Sequence, residues 1–189
     1  MSAATTPHQP VLYQESLDAL QPRDGGRYVD GTVGAGGHAA GILAASAPSG
    51  ELLGLDVDPQ ALTIAERRLE EYGERATLVR ASYAQFGQQL AAIGWELVDG
   101  ILLDLGASSM QFDSAERGFA FSLDGPLDMR MDPGLQRTAA DLVNELSEQD
   151  LAGLLREYGE ERRARTIARR IVQERPIETT AELAGVVAR

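Results

Sequence analysis

Hydrophobic residues in the first hundred positions fall into short apolar runs, separated by segments with helical periodicity. The run Glu51–Asp56 is apolar between its two acidic ends, which is typical of a strand buried on both faces of a parallel sheet. After Pro59, apolar residues recur every three or four positions between charged ones, which predicts an amphipathic helix. The predicted strands are 27–29, 51–56, 76–80 and 97–104, and the predicted helices are 14–20, 38–45, 59–71 and 83–93.

This alternation of strands and helices with short connections predicts an α/β fold with a doubly wound, Rossmann-like parallel sheet. In such a sheet, ligands bind outside the carboxyl ends of the strands, where the strand order reverses. With the order 3-2-1-4, the first, second and fourth strands end side by side. The residues that end these strands are therefore the first candidates for a functional site.

The pattern changes after residue 104. Residues 105–134 are rich in Gly, Ser, Asp and Pro, with Met and Phe between them, and a loop of this length in a compact domain is usually functional. Helical patterns then follow at 138–146, 147–158, 160–174 and from 179 onward, where Thr179 opens a capping box. We therefore predict two domains, one of residues 1–134 and a helical one of residues 135–189.

Composition excludes several kinds of chemistry. The 189 residues carry a net charge of -12, which argues against a protein that coats nucleic acid through general basicity. Cysteine is absent, so thiolate metal sites and cysteine nucleophiles are excluded, and no metal site is predicted. Lysine is absent from the sequence, which excludes a P-loop lysine. The lack of a signal peptide pattern or a long apolar run predicts a cytoplasmic protein without membrane partners.

A glycine-rich turn follows the first predicted strand and opens a helix. In the stretch Asp30–His38, four glycines surround the turn, so backbone N–H groups can approach a ligand closely. The first turn of the helix behind them carries unpaired N–H groups and the positive end of the helix dipole. A nucleotide or nucleotide-like cofactor is the ligand that this pattern favours over a turn without one.

Three aspartates end the strands around that turn, namely Asp30, Asp56 and Asp104. Asp56 comes about twenty residues after the glycines, which is the spacing at which an acid accepts the hydroxyls of a ribose. Each aspartate could instead cap a helix, which is common where a strand meets a helix. Asp58, before Pro59, suits that capping role best.

Two cofactor classes fit the pattern. Residues 34–39 match G-x-G-x-x-A, the fingerprint of an NAD(P)-binding oxidoreductase, although a single match of this kind is weak. Asp30 favours S-adenosylmethionine instead, because a carboxylate can meet the ammonium of a methionine moiety and would repel a pyrophosphate. Asp104 favours it too, because a hydride-transfer site has no obvious use for a further carboxylate.

Several blocks together resemble the MraW/RsmH family of bacterial 16S ribosomal RNA cytosine-N4 methyltransferases. The resemblance covers nearly the whole chain and is far more specific than one glycine motif. The blocks are DGTVGAGGH at 30–38, LDVDP at 55–59, GILLDLGASS at 100–109, QFD at 111–113, ERGFAF at 116–121, PLDMRM at 126–131 and HQPVL at 8–12.

The resemblance implies S-adenosylmethionine as methyl donor, a cytosine of 16S rRNA in the small ribosomal subunit as acceptor, and a helical insertion in the methyltransferase domain. It also implies a cofactor site, to which the residue pattern adds Asp30. The site residues that it implies are Gly36, Gly37, His38, Asp56, Tyr83, Asp104 and Gln111. A homodimer is compatible with the sequence.

The family's chains are longer than this one, and a block of the form S-F-H-S-L-E-D that the resemblance leads us to expect is missing. We therefore expect the N-terminal part of such an enzyme, with a sheet that is incomplete after its fourth strand. A fragment that binds RNA without catalysis is a further alternative.

Asp104 is the best candidate for the group that accepts a hydrogen bond from the cytosine amine, although it could serve the cofactor alone. Arg162, Arg165 and Arg169 would share one face of the helix predicted at 160–174, where they could contact RNA phosphates or pair with nearby glutamates. Arg117 and Arg130, in the long loop, are the second choice for RNA contact.

Overall fold

The computed structural model describes residues 10–189, so the HQPVL block begins outside the described residues. The chain forms two compact units, of which the first ends at Gly106 and the second spans Ala107–Arg189. No helix among residues 10–189 is long and apolar enough to cross a membrane.

The first unit alternates strands and helices, as its sequence predicts. Short 3-10 turns at Glu70–Arg75 and Tyr83–Gln85 lie between some of these elements. In chain order, the elements are α1 (Tyr13–Leu20), β1 (Arg27–Asp30), α2 (Gly37–Ala45), β2 (Glu51–Asp56), α3 (Pro59–Leu69), β3 (Ala76–Arg80), α4 (Phe86–Ala92) and β4 (Gly100–Leu102).

The four strands form one sheet in the order β3-β2-β1-β4, and every pair is parallel. This confirms the predicted α/β class and strand order. Side chains alternate between the two faces of the sheet, so neighbouring residues enter different cores. Tyr28 and Leu52 pack against α2 and α3 on one face, while Val29 and Leu53 join the core that contains Leu90 of α4.

β4 is shorter and more exposed than its sequence predicts. A buried strand over 97–104 is wrong, because pairing extends only from Gly100 to Leu102, opposite the last three residues of β1. Among the described residues no strand pairs with the other edge of β4. Ile101 and Leu103 are 43% and 48% exposed, because an apolar run is buried on both faces only where neighbours cover it.

The second unit is helical and contains its own apolar core. Its helices are α5 (Ser109–Phe112), α6 (Ala139–Glu145), α7 (Glu148–Glu157), α8 (Ala164–Gln173) and α9 (Thr180–Ala188). The core residues come from the loop before α6, from the helices and from the connection between α8 and α9: Leu127, Val143, Leu151, Ala152, Ile167, Ala168, Ile171, Ile177 and Val186.

The long loop belongs structurally to this helical unit. The N–H of Leu127 donates to the carbonyl of Glu178, and the N–H of Thr180 donates to the carbonyl of Gly125. These bonds hold the loop against the start of α9. The compact units therefore divide earlier than residue 134, and the functional division into 1–134 and 135–189 stays a prediction.

α8 begins at Ala164 rather than at residue 160, so the predicted start of this helix is wrong. Residues 158–163 form the turn between α7 and α8, where Glu160 takes a left-handed conformation with φ of 50°. The N–H of Glu161 donates back to the carbonyl of Leu155, and the Glu161 carboxylate accepts from the N–H of Arg163. These bonds keep the backbone out of the helix until Ala164.

Candidate functional site

The carboxyl ends of three neighbouring strands bring the predicted aspartates to one rim of the first unit. Asp30 ends β1, Asp56 ends β2, and Asp104 follows β4 by two residues. The parallel register places Asp30 beside Gly54 on one side and Leu102 on the other. Burial raises the pKa of Asp30, and the negative charges of Asp56 and Asp104 add to that rise, so both of these carboxylates lie within electrostatic reach of Asp30.

Backbone hydrogen bonds tie the glycine turn to the strands on either side of β1. The N–H of Gly31 donates to the carbonyl of Leu102, and the N–H of Val33 donates to the carbonyl of Leu55, each at 2.9 Å. The N–H of Gly36 closes the turn on the carbonyl of Val33 at 2.8 Å. The turn is therefore fixed in position before α2 begins.

Two glycines of the turn are required by its geometry. Gly34 and Gly36 have φ values of 51° and 77°, in the left-handed region that side chains disfavour. A Cβ added at Gly36 would also lie 3.3 Å from Cα of Ala65 in α3, which is tight packing. Gly36 precedes α2 and no side chain caps this helix, so its N-terminal N–H groups face the turn.

Asp56 holds the turn and the start of α3 together. Its Oδ2 accepts from the N–H of Gly34 and its Oδ1 accepts from the N–H of Asp58, both at 2.9 Å. A carboxylate offers about four lone-pair sites, so about two remain for a ligand's hydroxyls. Asp58 accepts from the N–H of Gln60 and caps α3, which confirms its predicted capping role.

Asp30 is buried, and only one of its two carboxylate oxygens accepts a hydrogen bond from the described residues. Its Oδ1 accepts from the N–H of Thr32 at 3.1 Å, whereas Oδ2 is buried with no hydrogen-bond partner among the described residues. Burial raises the pKa of Asp30 from 3.8 to about 7, and the charges of Asp56 and Asp104 add to that rise. A buried carboxylate with an unused oxygen is suited to meeting a cationic group.

Asp104 is the exposed member of the rim. Its backbone N–H donates to Oγ1 of Thr32 at 2.7 Å, and its side chain is 51% exposed. Oδ2 of Asp104 lies 3.8 Å from Nε2 of His38. The carboxylate therefore faces solvent on one side and an imidazole on the other.

His38 is the second residue of α2 and is buried beneath the rim. Its ring stacks on Tyr13 of α1, with centroids 5.9 Å apart and planes 23° apart. Nδ1 is buried with no hydrogen-bond partner among the described residues. Burial lowers the pKa of His38, and the nearby Asp104 opposes that shift, so the neutral imidazole is favoured.

Sequence reasoning missed the two residues that organise His38 and Asp104. Tyr13 precedes the helix predicted at 14–20 but is the first residue of α1, and Thr32 lies inside the glycine turn between Gly31 and Val33. Thr32 could have been found from its hydroxyl, because a short polar side chain inside a ligand-binding turn needs a hydrogen-bond partner.

Tyr83 borders an apolar pocket beside the turn. The pocket has a volume of about 180 Å³ and is also lined by Gly31, Phe86, Ile101 and Leu103. Tyr83 is 45% exposed, so its ring is available for stacking.

Gln111 lies in the second unit, in the short helix α5. It is buried, and its side-chain oxygen accepts from the N–H of Ser108 at 3.0 Å, which completes a capping box. This contact stabilises α5, and its predicted contact with a cofactor stays a prediction.

The two loop arginines are held within the second unit. Arg130 forms a bidentate pair with Asp128 at 2.8 and 2.6 Å and donates to the carbonyls of Pro133 and Leu135. Arg117 donates to the carbonyls of Arg130 and Met131. Both guanidinium groups thus stabilise the loop, which reduces what they can offer to a phosphate.

The three arginines that were predicted to share a helix face are all exposed, but only two of them lie on α8. Arg162 precedes α8, which corrects the predicted shared face, whereas Arg165 and Arg169 lie on the helix. Arg169 pairs with Glu148 of α7 at 3.5 Å. Their contact with RNA stays a prediction.

Together, the parallel sheet, the glycine turn after β1 and the acid that ends β2 define a Rossmann-like domain for binding a nucleotide-like cofactor. The chain belongs to the MraW methylase family, whose model matches residues 5–189. The resemblance noted in the sequence is thereby confirmed.

Over the aligned part of the chain, curated relatives are more than 50% identical to it. The chain is 54% identical to ribosomal RNA small subunit methyltransferase H of Syntrophobacter fumaroxidans. The alignment covers 96% of this chain and 58% of that protein. The protein of the same name from Geobacter sulfurreducens is 52% identical, covering 97% of this chain and 60% of that protein. The chain thus spans about three fifths of the length of these relatives.

Among solved structures, a putative rRNA methylase from Clostridium thermocellum matches at 17% identity with a TM-score of 0.43, covering 64% of this chain and 69% of that chain.

Proposed function

We propose that the chain is the cofactor-binding part of an enzyme that transfers a methyl group from S-adenosylmethionine to the N4 amine of a cytosine in 16S rRNA. Relatives more than 50% identical carry the name of a small-subunit ribosomal RNA methyltransferase, which supports the substrate class. The substrate would be the small ribosomal subunit in the cytoplasm, with no membrane partner, and a homodimer is compatible with this proposal.

The buried carboxylate of Asp30 is the observation that carries the choice of cofactor. Its unpartnered Oδ2 lies at the rim that Asp56 and Asp104 also make negative. A cationic methionine moiety gains from this field, whereas the pyrophosphate of a dinucleotide would be repelled. The alternative of an NAD(P)-dependent oxidoreductase is therefore disfavoured.

The remaining rim residues have complementary roles in this proposal. The N-terminal N–H groups of α2, at Gly37 and His38 after Gly36, face polar groups of the cofactor, and Asp56 accepts from the ribose hydroxyls. Tyr83 and its apolar pocket suit the adenine ring, and Gln111 is a further proposed cofactor contact. When bound, S-adenosylmethionine supplies an electrophilic methyl group on a sulfonium.

Asp104 is the proposed acceptor for the cytosine amine. The lone pair of an exocyclic amine is delocalised into the ring, so an acceptor that takes a hydrogen bond from its N–H makes the nitrogen more nucleophilic and removes the proton afterwards. Asp104 is the rim carboxylate that is exposed to an incoming base. Arg162, Arg165 and Arg169, with Arg117 and Arg130 as second choice, are the proposed contacts to RNA phosphates.

Calorimetry with four ligands tests the cofactor assignment. S-adenosylmethionine and S-adenosylhomocysteine should bind, while NADH should not. Methylthioadenosine, which lacks the amino-acid part, should bind more weakly because it leaves the Asp30 side of the rim unused. Binding of NADH, or of none of the four, would contradict the assignment.

Methyl transfer separates the enzyme from an RNA-binding fragment. The readout is labelled methyl incorporation into small ribosomal subunits that lack the modification, with fully modified subunits as control. RNA binding without incorporation would favour the non-catalytic alternative.

A further inference from the structure

We propose that Thr32 is a positioning residue, whose hydroxyl fixes the backbone of Asp104 so that the Asp104 carboxylate is held beside His38. The inference rests on the proposed function in one respect, because it explains how a rim carboxylate would be aimed at a substrate amine. Its geometry stands independently of that function.

The hydroxyl of Thr32 replaces a backbone partner where the sheet ends. Pairing between β1 and β4 stops at Asp30 and Leu102, and the N–H of Gly31 takes the carbonyl of Leu102. Beyond this point the chains diverge. The N–H of Asp104 donates instead to Oγ1 of Thr32 at 2.7 Å.

Thr32 is itself anchored to β1. Its N–H donates to Oδ1 of Asp30 at 3.1 Å, and Asp30 is buried at the end of the strand. The chain of bonds runs from Asp30 through Thr32 to the backbone of Asp104. The backbone of a residue whose carboxylate is half exposed to solvent is thereby attached to a buried strand end.

His38 marks the place where the Asp104 carboxylate is held. The imidazole is buried and stacked on Tyr13, and its Nε2 lies 3.8 Å from Oδ2 of Asp104. Among the described residues, Tyr13 and Asp104 are the titratable groups that face the ring, and the backbone of Val11, like Asp104, acts to raise the pKa of His38. Displacement of Asp104 would remove the nearby negative charge that raises the pKa of His38.

The chain has only two histidines, which makes this contact measurable by NMR. A His8→Gln background leaves one imidazole, so its titration belongs to His38. We compare this parent with Thr32→Val, which keeps the shape and removes the acceptor, and with Thr32→Ser, which keeps the hydroxyl. Asp104→Asn and the double variant Thr32→Val/Asp104→Asn complete the cycle.

The expected result is a lower His38 pKa in Asp104→Asn, a shift in the same direction in Thr32→Val, and no shift in Thr32→Ser. The double variant should titrate like Asp104→Asn alone, because Thr32 acts through Asp104. A Thr32→Val titration equal to the parent's, or a Thr32→Val shift that persists in full without the Asp104 charge, would overturn the proposal.

Hydrogen exchange provides a second measurement that requires no valine variant. The amide of Asp104 should be protected in the parent and in Thr32→Ser, and should exchange about tenfold faster or more in Thr32→Ala, as expected for the loss of one hydrogen bond. An unprotected Asp104 amide in the parent would overturn the proposal even if the valine variant failed to fold.

These readouts are separate from cofactor binding. If S-adenosylmethionine fails to bind while the histidine cycle behaves as expected, the cofactor assignment fails and the positioning role stands. If the cofactor binds normally and the histidine cycle shows no coupling between Thr32 and Asp104, the positioning role fails and the cofactor assignment stands.

Discussion

The N–H of Gly34 donates a 2.9 Å hydrogen bond to Oδ2 of Asp56, so the glycine turn after β1 is attached to the end of β2. The other oxygen of Asp56 accepts from the N–H of Asp58 at the start of α3. One carboxylate therefore shapes the turn and also offers its remaining lone pairs to a ligand. Stability and binding are coupled at this residue.

Replacing Asp56 should weaken folding and cofactor binding together. In Asp56→Asn, an amide N–H₂ faces one of the two backbone donors, so we expect a loss of about 1–3 kcal/mol in the free energy of unfolding. Binding of S-adenosylhomocysteine should fall as well. Asp58→Ala is the matched control, because it removes a helix cap, which costs about 1 kcal/mol, and keeps the Asp56 carboxylate, so it should leave binding unchanged. Urea unfolding and calorimetry measure the two effects, and equal loss of binding in both variants would refute this distinction.

Asp30 should make the protein less stable as the pH rises. Its folded pKa of about 7 lies above its unfolded value of 3.8, so its contribution is fully present below pH 3.8 and is lost as the pH rises to about 7. This rise corresponds to roughly 4 kcal/mol. Asp30→Asn cannot ionise, so its unfolding free energy should match the parent's near pH 4 and exceed it by up to that amount at pH 8. A difference between the two proteins that stays constant with pH would count against a buried, protonated Asp30.

Alanine should be tolerated better at Gly34 than at Gly36. Both positions have positive φ, which costs an alanine about 1 kcal/mol. At Gly34, the nearest atom to an added Cβ is the carbonyl oxygen of Thr32 at 3.8 Å, whereas at Gly36 the Cβ presses on Ala65 at 3.3 Å. We therefore expect Gly36→Ala to lose about 1–3 kcal/mol more than Gly34→Ala, as is usual for overpacking. Thermal unfolding of the two variants tests the order, and a larger loss in Gly34→Ala would contradict it.

In the second unit, the Asp128–Arg130 pair should matter more than an exposed ion pair. Arg130→Lys keeps the charge but loses the bidentate geometry and the bonds to two carbonyls, so we expect a clear loss in the free energy of unfolding. Arg137→Lys is the control, because its pair with Glu145 is exposed and should contribute less than about 1 kcal/mol. Urea unfolding measures the free energy of unfolding of each variant. Equal losses in the two variants would show that the loop does not depend on the bidentate hydrogen bonds of Arg130.

The same pair predicts acid sensitivity. Hydrogen bonds from Arg130 hold the pKa of Asp128 below its usual value, so its contribution to stability is present at neutral pH and lost as the pH falls through the folded pKa. Asp128→Asn should show a weaker fall in unfolding free energy between pH 5 and pH 2 than the parent. An identical fall in both proteins would exclude Asp128 as a source of acid sensitivity.

The site could be predicted from sequence where one residue type at one position decides the geometry. Strand-end aspartates, turn glycines and the Asp58 cap are such cases, because strand ends and caps are local features. The alternation of apolar runs with helical segments likewise predicts the doubly wound α/β class. His38 could be placed beside the turn, but its stacking on Tyr13 could not be predicted, because it depends on how α1 packs against α2.

The errors arose where neighbours rather than sequence decide the structure. The apolar residues from Leu97 onward suggest a long buried strand, yet β1 offers only three residues for pairing with β4. The predicted start of α8 is wrong because the residues at 160–163 favour a helix by type, whereas their backbone N–H groups are used in the turn after α7. There, the N–H of Glu161 donates to the carbonyl of Leu155 and the N–H of Arg163 donates to the Glu161 carboxylate. Arg130 looks like a phosphate ligand in the sequence, and only the structure reveals its pairing with Asp128.

The close approach of Gly36 to Ala65 makes the glycine turn dependent on a residue that no ligand would touch. The turn rests directly on the backbone of α3, so positions 36 and 65 must both be small. A bulkier side chain at position 65 would look like an ordinary core substitution, yet it would act by tilting the turn. In a survey of variants, distance from the rim would therefore be a poor guide to which substitutions impair ligand binding, and position 65 would group with the glycines.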